Sequence, residues 1–374
     1  MIKVIEFVGA LKDGGAETLV KDYVEVLDKK RFDTRILTVF PMTNTANYRQ
    51  AVKNGAKIIS VYRSYNIVVR VINKIFGRWY VPRRLKQILR TEAPNCIHIH
   101  SPLAWTFAKI QPELKNIDLF YTCHSEPKKY FRCGEKDEET SVRRLVQKNQ
   151  MRLIALHEDM RKELNEHFSV ENTVVVNNGV NFKRYKRPQW DVDRIRESVS
   201  IGKDAFLLVH VGRFAAVKNH AFLLDVFGEI KKMRADAHLL LVGDGPLKAN
   251  ICEQIKQKNL TGNVTMLSHR TDVPELMYAS DLVVFPSLYE GLSVTLVEAQ
   301  VTGLRCIVSD SVNVANFLTE KTIPVSLQLD AKKWADIALD ESVKNTTFGD
   351  LNRFNIEHEI QKLENLYAKA EGNR

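Results

Sequence analysis

The chain has 374 residues, 44% of them apolar and 27% charged, the balance of a soluble globular protein long enough for two domains of ordinary size. No apolar run reaches the roughly 18 residues of a membrane-spanning helix, and the opening MIKVIEFVGA runs straight into a strand-like segment without the profile of a signal peptide. The net charge of +10 lies wholly in the first half: residues 1–185 hold 32 Lys/Arg against 20 Asp/Glu and the remainder 23 against 25, so an anionic partner, nucleic acid or a membrane surface, is expected there.

In chain order, residues 3–8 read as a strand, 9–15 as a loop and 16–27 as a helix. The pair Gly14-Gly15 at the helix entrance lets backbone approach a ligand, although a plain strand-to-helix turn has the same look. Strand and helix alternate again at 34–40, 46–53 and 57–61. Residues 64–90 break the rhythm. Ile67, Val68, Val71, Ile72, Ile75, Phe76 and Trp79 form an apolar stripe interleaved with Arg70, Lys74, Arg78, Arg83 and Arg84, and residues 34–91 carry twelve Lys/Arg and no acid. The pattern suits an anionic lipid surface; a core-facing helix with a solvated basic face is the alternative.

Strands at 96–100 and 119–122 end in His100 and His124. Ligand crevices lie beyond the C-terminal ends of parallel strands, which makes both histidines functional candidates. No third ligand stands at a suitable spacing, so no metal is expected. Residues 151–156 and 173–176 complete this half, and 185–193 (YKRPQWDVD) read as a polar linker. The five cysteines, Cys96, Cys123, Cys133, Cys252 and Cys306, are widely spaced and lack a C-x-x-C, which suggests a reducing compartment.

In the second half, a strand at 205–211 leads to Arg213 and Lys218, just ahead of a helix beginning at 220. Two cations at a strand-to-helix crevice suit a diphosphate, the Arg as a fork and the Lys as a point charge; two surface charges would look the same. Strands at 237–242 and 264–267 end in Gly243-Asp244-Gly245-Pro246 and Ser268-His269-Arg270. Residues 281–310 then form a strand, a loop carrying Glu290, a helix from about 293 to 301 carrying Glu298, and a further strand. Leu292, Ser293, Val294 and Thr295 occupy the helix N-terminus, where free N–H groups suit a phosphate, while the flanking carboxylates suit sugar hydroxyls. A polar helix spans 355–370.

Glu290-Gly291-Leu292-Ser293 with Glu298-Ala299 resembles the E-x7-E signature of the retaining GT-B glycosyltransferases, glycosyltransferase family 4. The likeness extends to Gly14-Gly15-Ala16-Glu17, to His100 and His124, to Asn178-Gly179-Val180-Asn181, to Arg213 with Lys218-Asn219, and to Gly243-Asp244-Gly245-Pro246. It implies an α/β architecture of two Rossmann-like domains facing a cleft: an acceptor-binding domain, 1–182 joined by the terminal helix 355–374, and a nucleotide-sugar domain, 183–354. By the resemblance, Arg213, Lys218 and the N–H groups of 292–295 meet the diphosphate and Glu298 the ribose. Glu290 holds the transferred sugar, Arg270 lies by the nucleobase, and Gly14 and Gly15 lie over donor and acceptor. His100 stands on the acceptor side and His124 beside the reacting carbon. Residues 128–136 look like an acceptor-side loop. The family's Asp is Asn181 here, so any role for that carboxylate is lost. The D-x-D at Asp191-Val192-Asp193, a metal motif in the other large glycosyltransferase fold, has no strand before it and reads as chance.

The implied enzyme takes a nucleotide-diphosphate sugar (a UDP-sugar is expected) and works without a metal or other cofactor. The resemblance also implies a front-face mechanism, and no residue is clearly placed as a covalent nucleophile. The acceptor is a glycan or polyprenyl-linked sugar, and the location is cytoplasmic, peripheral on the inner face of the membrane. A soluble-acceptor transferase is a rival, and a nucleotide-sugar 2-epimerase shares the fold, although the Gly14-Gly15-Ala16-Glu17 loop and the Arg213/Lys218 pair favour the transferase. A nucleic-acid-binding protein is disfavoured, because no nucleic-acid motif accompanies the basic half.

Overall fold

The computed structural model describes residues 1–124, 127, 131, 136–186 and 190–369; most of the segment 128–136 and the middle of the linker lie outside them. The chain divides into two units, Met1–Gly179 with Ile356–Arg374, and Val180–Asn355. Val180, Asn181 and Phe182 thus go with the second unit rather than the first.

The first unit is a parallel sheet of seven strands: β1 (Ile2–Val8), β2 (Phe32–Thr38), β3 (Lys57–Ser60), β4 (Cys96–Ile99), β5 (Asp118–Thr122), β6 (Arg152–Ala155) and β7 (Val174–Val175). Their order is β3-β2-β1-β4-β5-β6-β7. Successive side chains of a strand point to opposite faces. Ile5, Phe7, Ile97, Ile99, Leu119 and Tyr121 join one core. The alternate residues Val4, Cys96 and Phe120 pack with Leu19 and Tyr23 of α1 (Gly15–Val26) and with Ile360, Leu363 and Tyr367 of the C-terminal helix Ile356–Lys369. A second helix, α2 (Ala46–Lys53), is capped by the Thr45 hydroxyl.

The long helix α3 (Ile67–Glu92) divides into two parts. Val81, Leu85, Ile88 and Leu89 are buried in the core, but the earlier stripe from Ile67 to Trp79 is exposed. The core-facing reading therefore holds only for the second half of this helix.

The second unit is a parallel sheet of six strands: β8 (Phe206–Val211), β9 (Ala237–Val242), β10 (Val264–Leu267), β11 (Leu282–Phe285), β12 (Arg305–Ser309) and β13 (Thr322–Val325), in the order β10-β9-β8-β11-β12-β13. Each β11 residue is buried, as expected of a strand covered on both faces. The strand order reverses between β1 and β4 in one sheet and between β8 and β11 in the other. At such switch points the outgoing loops part and leave a crevice.

The D-x-D segment has a local role. Asp191 accepts the Arg194 N–H at 3.1 Å and caps the helix Val192–Ser198, so the linker ends three residues earlier than its composition suggests. Among the described residues, no helix is long and apolar enough to cross a membrane.

Candidate functional site

The second unit gathers its candidates at the β8/β11 switch point. Beyond β8 the chain makes a tight loop over the β9 turn. A Cβ at Gly243 would lie 1.9 Å from the Gly212 carbonyl oxygen, and one at Gly245 would lie 2.5 Å from that of Phe214, so neither position admits a side chain. Gly212 in turn leaves room for the Lys218 stem, which would lie 3.2 Å from an added Cβ. Asn219 closes the loop at φ 53°, a left-handed conformation that Asn tolerates.

Within this frame Arg213 is exposed and its guanidinium has no ion pair with a described residue. Lys218 lies over the Phe285 ring, 4.5 Å from its centre, with its ammonium 2.7 Å from Glu290 Oε1. That contact is an ion pair without hydrogen-bond alignment, and Oε1 is buried without any hydrogen bond from the described residues. The Glu290 backbone bridges to Val312 in strand fashion, which fixes where the carboxylate emerges.

The helix carrying the second glutamate runs Val294–Val301. The Val294 and Thr295 N–H groups lack intrahelical partners by position. Ser293 differs from expectation: its N–H donates to the buried Asn316 Oδ1 at 2.7 Å, so it is not available to a phosphate. Asn316 Nδ2 donates to the Gly291 carbonyl at 2.6 Å, and Gln300 Nε2 donates to the Asn316 carbonyl at 2.8 Å. This buried lattice holds the Gly291–Ser293 turn. Glu298 Oε1 accepts the Tyr185 hydroxyl at 2.5 Å; Tyr185, which the composition assigns to a linker, is buried and orients this carboxylate. Arg270 is engaged as a fork with Asp272, through Nε at 2.7 Å and Nη2, so its guanidinium is committed locally.

In the first unit the switch point lies between β1 and β4. Gly14 precedes α1 and Gly15 begins it. The Glu17 carboxylate folds back so that a Cβ at Gly14 would lie 2.5 Å from it, while the space above Gly15 is open. Burial raises the Glu17 pKa. His100 and His124 stand together, with His100 Nδ1 3.1 Å from His124 Nε2. Behind them is a group that spacing alone does not reveal. Glu6, an acid within the apolar strand IKVIEFV, is fully buried with Oε2 2.7 Å from His100 Nε2. Tyr367 of the C-terminal helix donates to Glu6 Oε1 at 2.8 Å. His98 contacts Tyr367 Oη and Thr122 Oγ1, each at 2.7 Å. The one sequence signal for this network was Glu6 itself, a charge where burial forbids an unpaired one.

Glu6, His98 and His100 offer three potential ligand atoms within 4.8 Å of one another, the grouping that could hold an ion. A third candidate ligand therefore does stand beside His100, supplied by β1, where sequence spacing offered none; its atoms and those of the histidines hydrogen-bond to one another, Tyr367 and Thr122.

Comparison with known proteins gives an independent view. Residues 13–184 match the family described as Glycosyltransferase Family 4, and residues 191–338 the family described as Glycosyl transferases group 1. The chain is 29% identical over 316 residues to a putative glycosyltransferase, EpsF, of Bacillus subtilis, covering 83% of this chain and 79% of that protein. It is 26% identical over 307 residues to the UDP-Gal:alpha-D-GlcNAc-diphosphoundecaprenol alpha-1,3-galactosyltransferase of Escherichia coli, covering 76% and 77%. Among solved structures, Anabaena HepE in complex with UDP-glucose superposes with a TM-score of 0.76 at 16% identity, over 99% of this chain and all of that one.

Proposed function

Because the chain belongs to the family 4-type GT-B glycosyltransferases, we propose that it transfers a sugar with retention from a UDP-sugar to a lipid-linked glycan in the assembly of a surface polysaccharide. One observation carries this: at a single sheet edge, an exposed Arg213, the Lys218–Glu290 pair and the free N–H groups of Val294 and Thr295 stand together. Arg213, Lys218 and the N–H groups would take up the charge that grows on the leaving diphosphate, a task for preorganised donors that needs no metal. Lys218 would exchange Glu290 for a phosphate oxygen. This frees the buried Glu290 Oε1 to accept a hydroxyl of the transferred sugar. Glu298, oriented by Tyr185, would accept from the ribose. The departing phosphate would take the proton of the attacking acceptor hydroxyl on the same face, which retains the anomeric configuration.

Two similar proteins support the substrate classes. The Escherichia coli relative is named for UDP-Gal and a diphosphoundecaprenol acceptor, and HepE was solved with UDP-glucose. The test is to incubate the protein with UDP-hexoses and a short polyprenyl-diphosphate sugar in EDTA and to read the product's anomeric coupling by NMR. An α-linked product is expected; a β-linked product, or transfer that needs Mg²⁺, would contradict the mechanism.

The exposed half of α3 supports a membrane partner. Ile67, Val68, Val71, Ile72, Ile75, Phe76 and Trp79 are 40–69% exposed on one helix, with Arg70, Lys74 and Arg83 beside them. Arg78 is tied to Asp137 and Arg83 stacks over Trp79. A stripe this apolar with basic flanks docks shallowly on anionic lipid, at about 1 kcal/mol per engaged cation. The protein should sediment with anionic vesicles at low salt and be released by high salt. Equal sedimentation with neutral vesicles, or no effect of reversing Arg70, Lys74 and Arg83 to Glu, would remove the membrane from the account.

A further inference from the structure

Glu6, His100 and His124 form a line of hydrogen bonds running from the interior of the first sheet to the end of β5. Glu6 and His100 are buried, and His124 is half-buried at the outer end. Placing the protons needs one premise, that Glu6 is ionised. Burial alone would raise its pKa, but hydrogen bonding from His100 Nε2 at 2.7 Å and from His98 Nδ1, 3.4 Å from Oε2, helps bring it down to about 2.

A carboxylate only accepts hydrogen bonds. The Tyr367 hydroxyl therefore donates to Oε1 at 2.8 Å, and His100 Nε2–H donates to Oε2 at 2.7 Å. Burial, then His98, lowers the His100 pKa to about 4 and keeps the ring neutral. Its Nδ1 thus carries a lone pair and accepts His124 Nε2–H at 3.1 Å. Burial, then His100, also holds the His124 pKa well below the ordinary value. Its remaining lone pair is on Nδ1, which bonds to no described residue.

The inward side is closed in the same way. The Tyr367 proton is directed at Glu6, so the Tyr367 oxygen accepts from His98 Nδ1–H, and His98 Nε2 accepts the Thr122 hydroxyl. The Tyr23 ring, 6.1 Å from that of His100, covers the remaining side. His98 Nδ1 also lies 3.4 Å from Glu6 Oε2, so its N–H is shared between the Tyr367 oxygen and the carboxylate; turning the His100 ring over would set its lone pair against the carboxylate and leave buried groups unpaired.

We propose that Glu6 and His100 are positioning residues that hold His124 in its Nε2–H tautomer, so that Nδ1 presents an acceptor to a substrate hydroxyl. The assignment rests on the glycosyltransferase reading for the identity of that substrate, but not for the tautomer.

The test uses the full chain labelled with ¹⁵N-histidine. Its His124 signals are assigned by their loss in His124→Asn. The expected spectrum at neutral pH shows protonated Nε2 and bare Nδ1; an Nδ1–H tautomer or an imidazolium would overturn the proposal. The wild-type spectrum decides this even if no variant folds.

Glu6→Gln then supplies the kinetic arm. A Gln amide offers one acceptor oxygen where Glu6 offers two, so one of its bonds must reverse. Reversal at His100 turns both imidazoles over. His124 should then show the Nδ1–H tautomer, and kcat should fall on the order of 10²-fold or more, with the donor KM changed less than about threefold. If slow hydrolysis of the donor by water falls equally, the hydroxyl belongs to the transferred sugar; if only transfer falls, it belongs to the acceptor. A folded Glu6→Gln with the inverted tautomer and wild-type kcat would overturn the positioning role. The expected tautomer with turnover of no nucleotide sugar would instead refute the transferase reading, and with it the substrate half of the proposal.

Discussion

The two switch points handle buried polarity in opposite ways. In the first unit Glu6, His98, His100, Thr122 and Tyr367 satisfy one another, and none of their polar atoms is left without a partner. In the second, around Lys218, several buried atoms have no hydrogen bond within the described residues: His210 Nε2, both His220 ring nitrogens, Ser287 Oγ and Glu290 Oε1. A finished network orients a side chain before substrate arrives. An unfinished one carries a desolvation cost that a ligand or water relieves. The contrast fits the roles proposed above, orientation for the first site and donor binding for the second.

The largest expected effect breaks the second site. Arg213→Ala and Lys218→Ala should each lower turnover at saturating donor by about 10²-fold if, as proposed, both cations meet charge that grows as the bond breaks. Thermal unfolding should scarcely move for Arg213→Ala, because that side chain is exposed. Wild-type turnover in either variant would detach these residues from the diphosphate.

The first site should respond the other way, through the fold. Tyr367→Phe removes the donor to Glu6 Oε1 and the acceptor for His98, which should cost about 1–3 kcal/mol of stability. Nucleotide affinity should be unchanged, because that site lies in the other unit. A stable Tyr367→Phe would mean the network is not closed.

Acid should then separate the two sites gradually. His100, His210 and His220 are held neutral by burial, with pKa values lowered from 6.5 to about 4, 3 and 4. The unfolded chain therefore binds more protons than the folded one between these values and 6.5, so stability falls as the pH drops below 6.5. Glu6, lowered from 4.5 to about 2, adds stability that is present above pH 4.5 and is lost as the pH falls through 2. The unfolding midpoint should decline in the first range for the wild type and Glu6→Gln alike, with the decline below pH 4.5 weaker in Glu6→Gln. A flat midpoint from pH 7 to 4 would contradict the buried neutral histidines.

Sequence reading reached the sheets because parallel strands buried on both faces are short continuous apolar runs, as at residues 282–285. It put Arg213, Lys218, Glu290 and Glu298 beside strand ends and helix starts, which can be read locally. The pairing of Lys218 with Glu290 and the capture of the Ser293 N–H by Asn316 are tertiary events between segments far apart in the chain. Tyr185 and Tyr367 were missed for the same reason: a tyrosine in a polar stretch gives no sign of the carboxylate its hydroxyl will meet. Glu6 was visible as a charge in an apolar strand, but its partners come from β4 and the C-terminal helix.

The central claim is that the second unit holds a nucleoside diphosphate by its cations and helix N-terminus, without a metal. Calorimetric titration of UDP in EDTA tests it most directly, with wild type, Lys218→Ala, Glu298→Ala and His124→Asn side by side. UDP should bind the wild type. Lys218→Ala and Glu298→Ala should each lose about 1–3 kcal/mol of affinity, and His124→Asn, in the other unit, should lose none. No binding without a divalent cation, or equal affinity across all four proteins, would contradict the account.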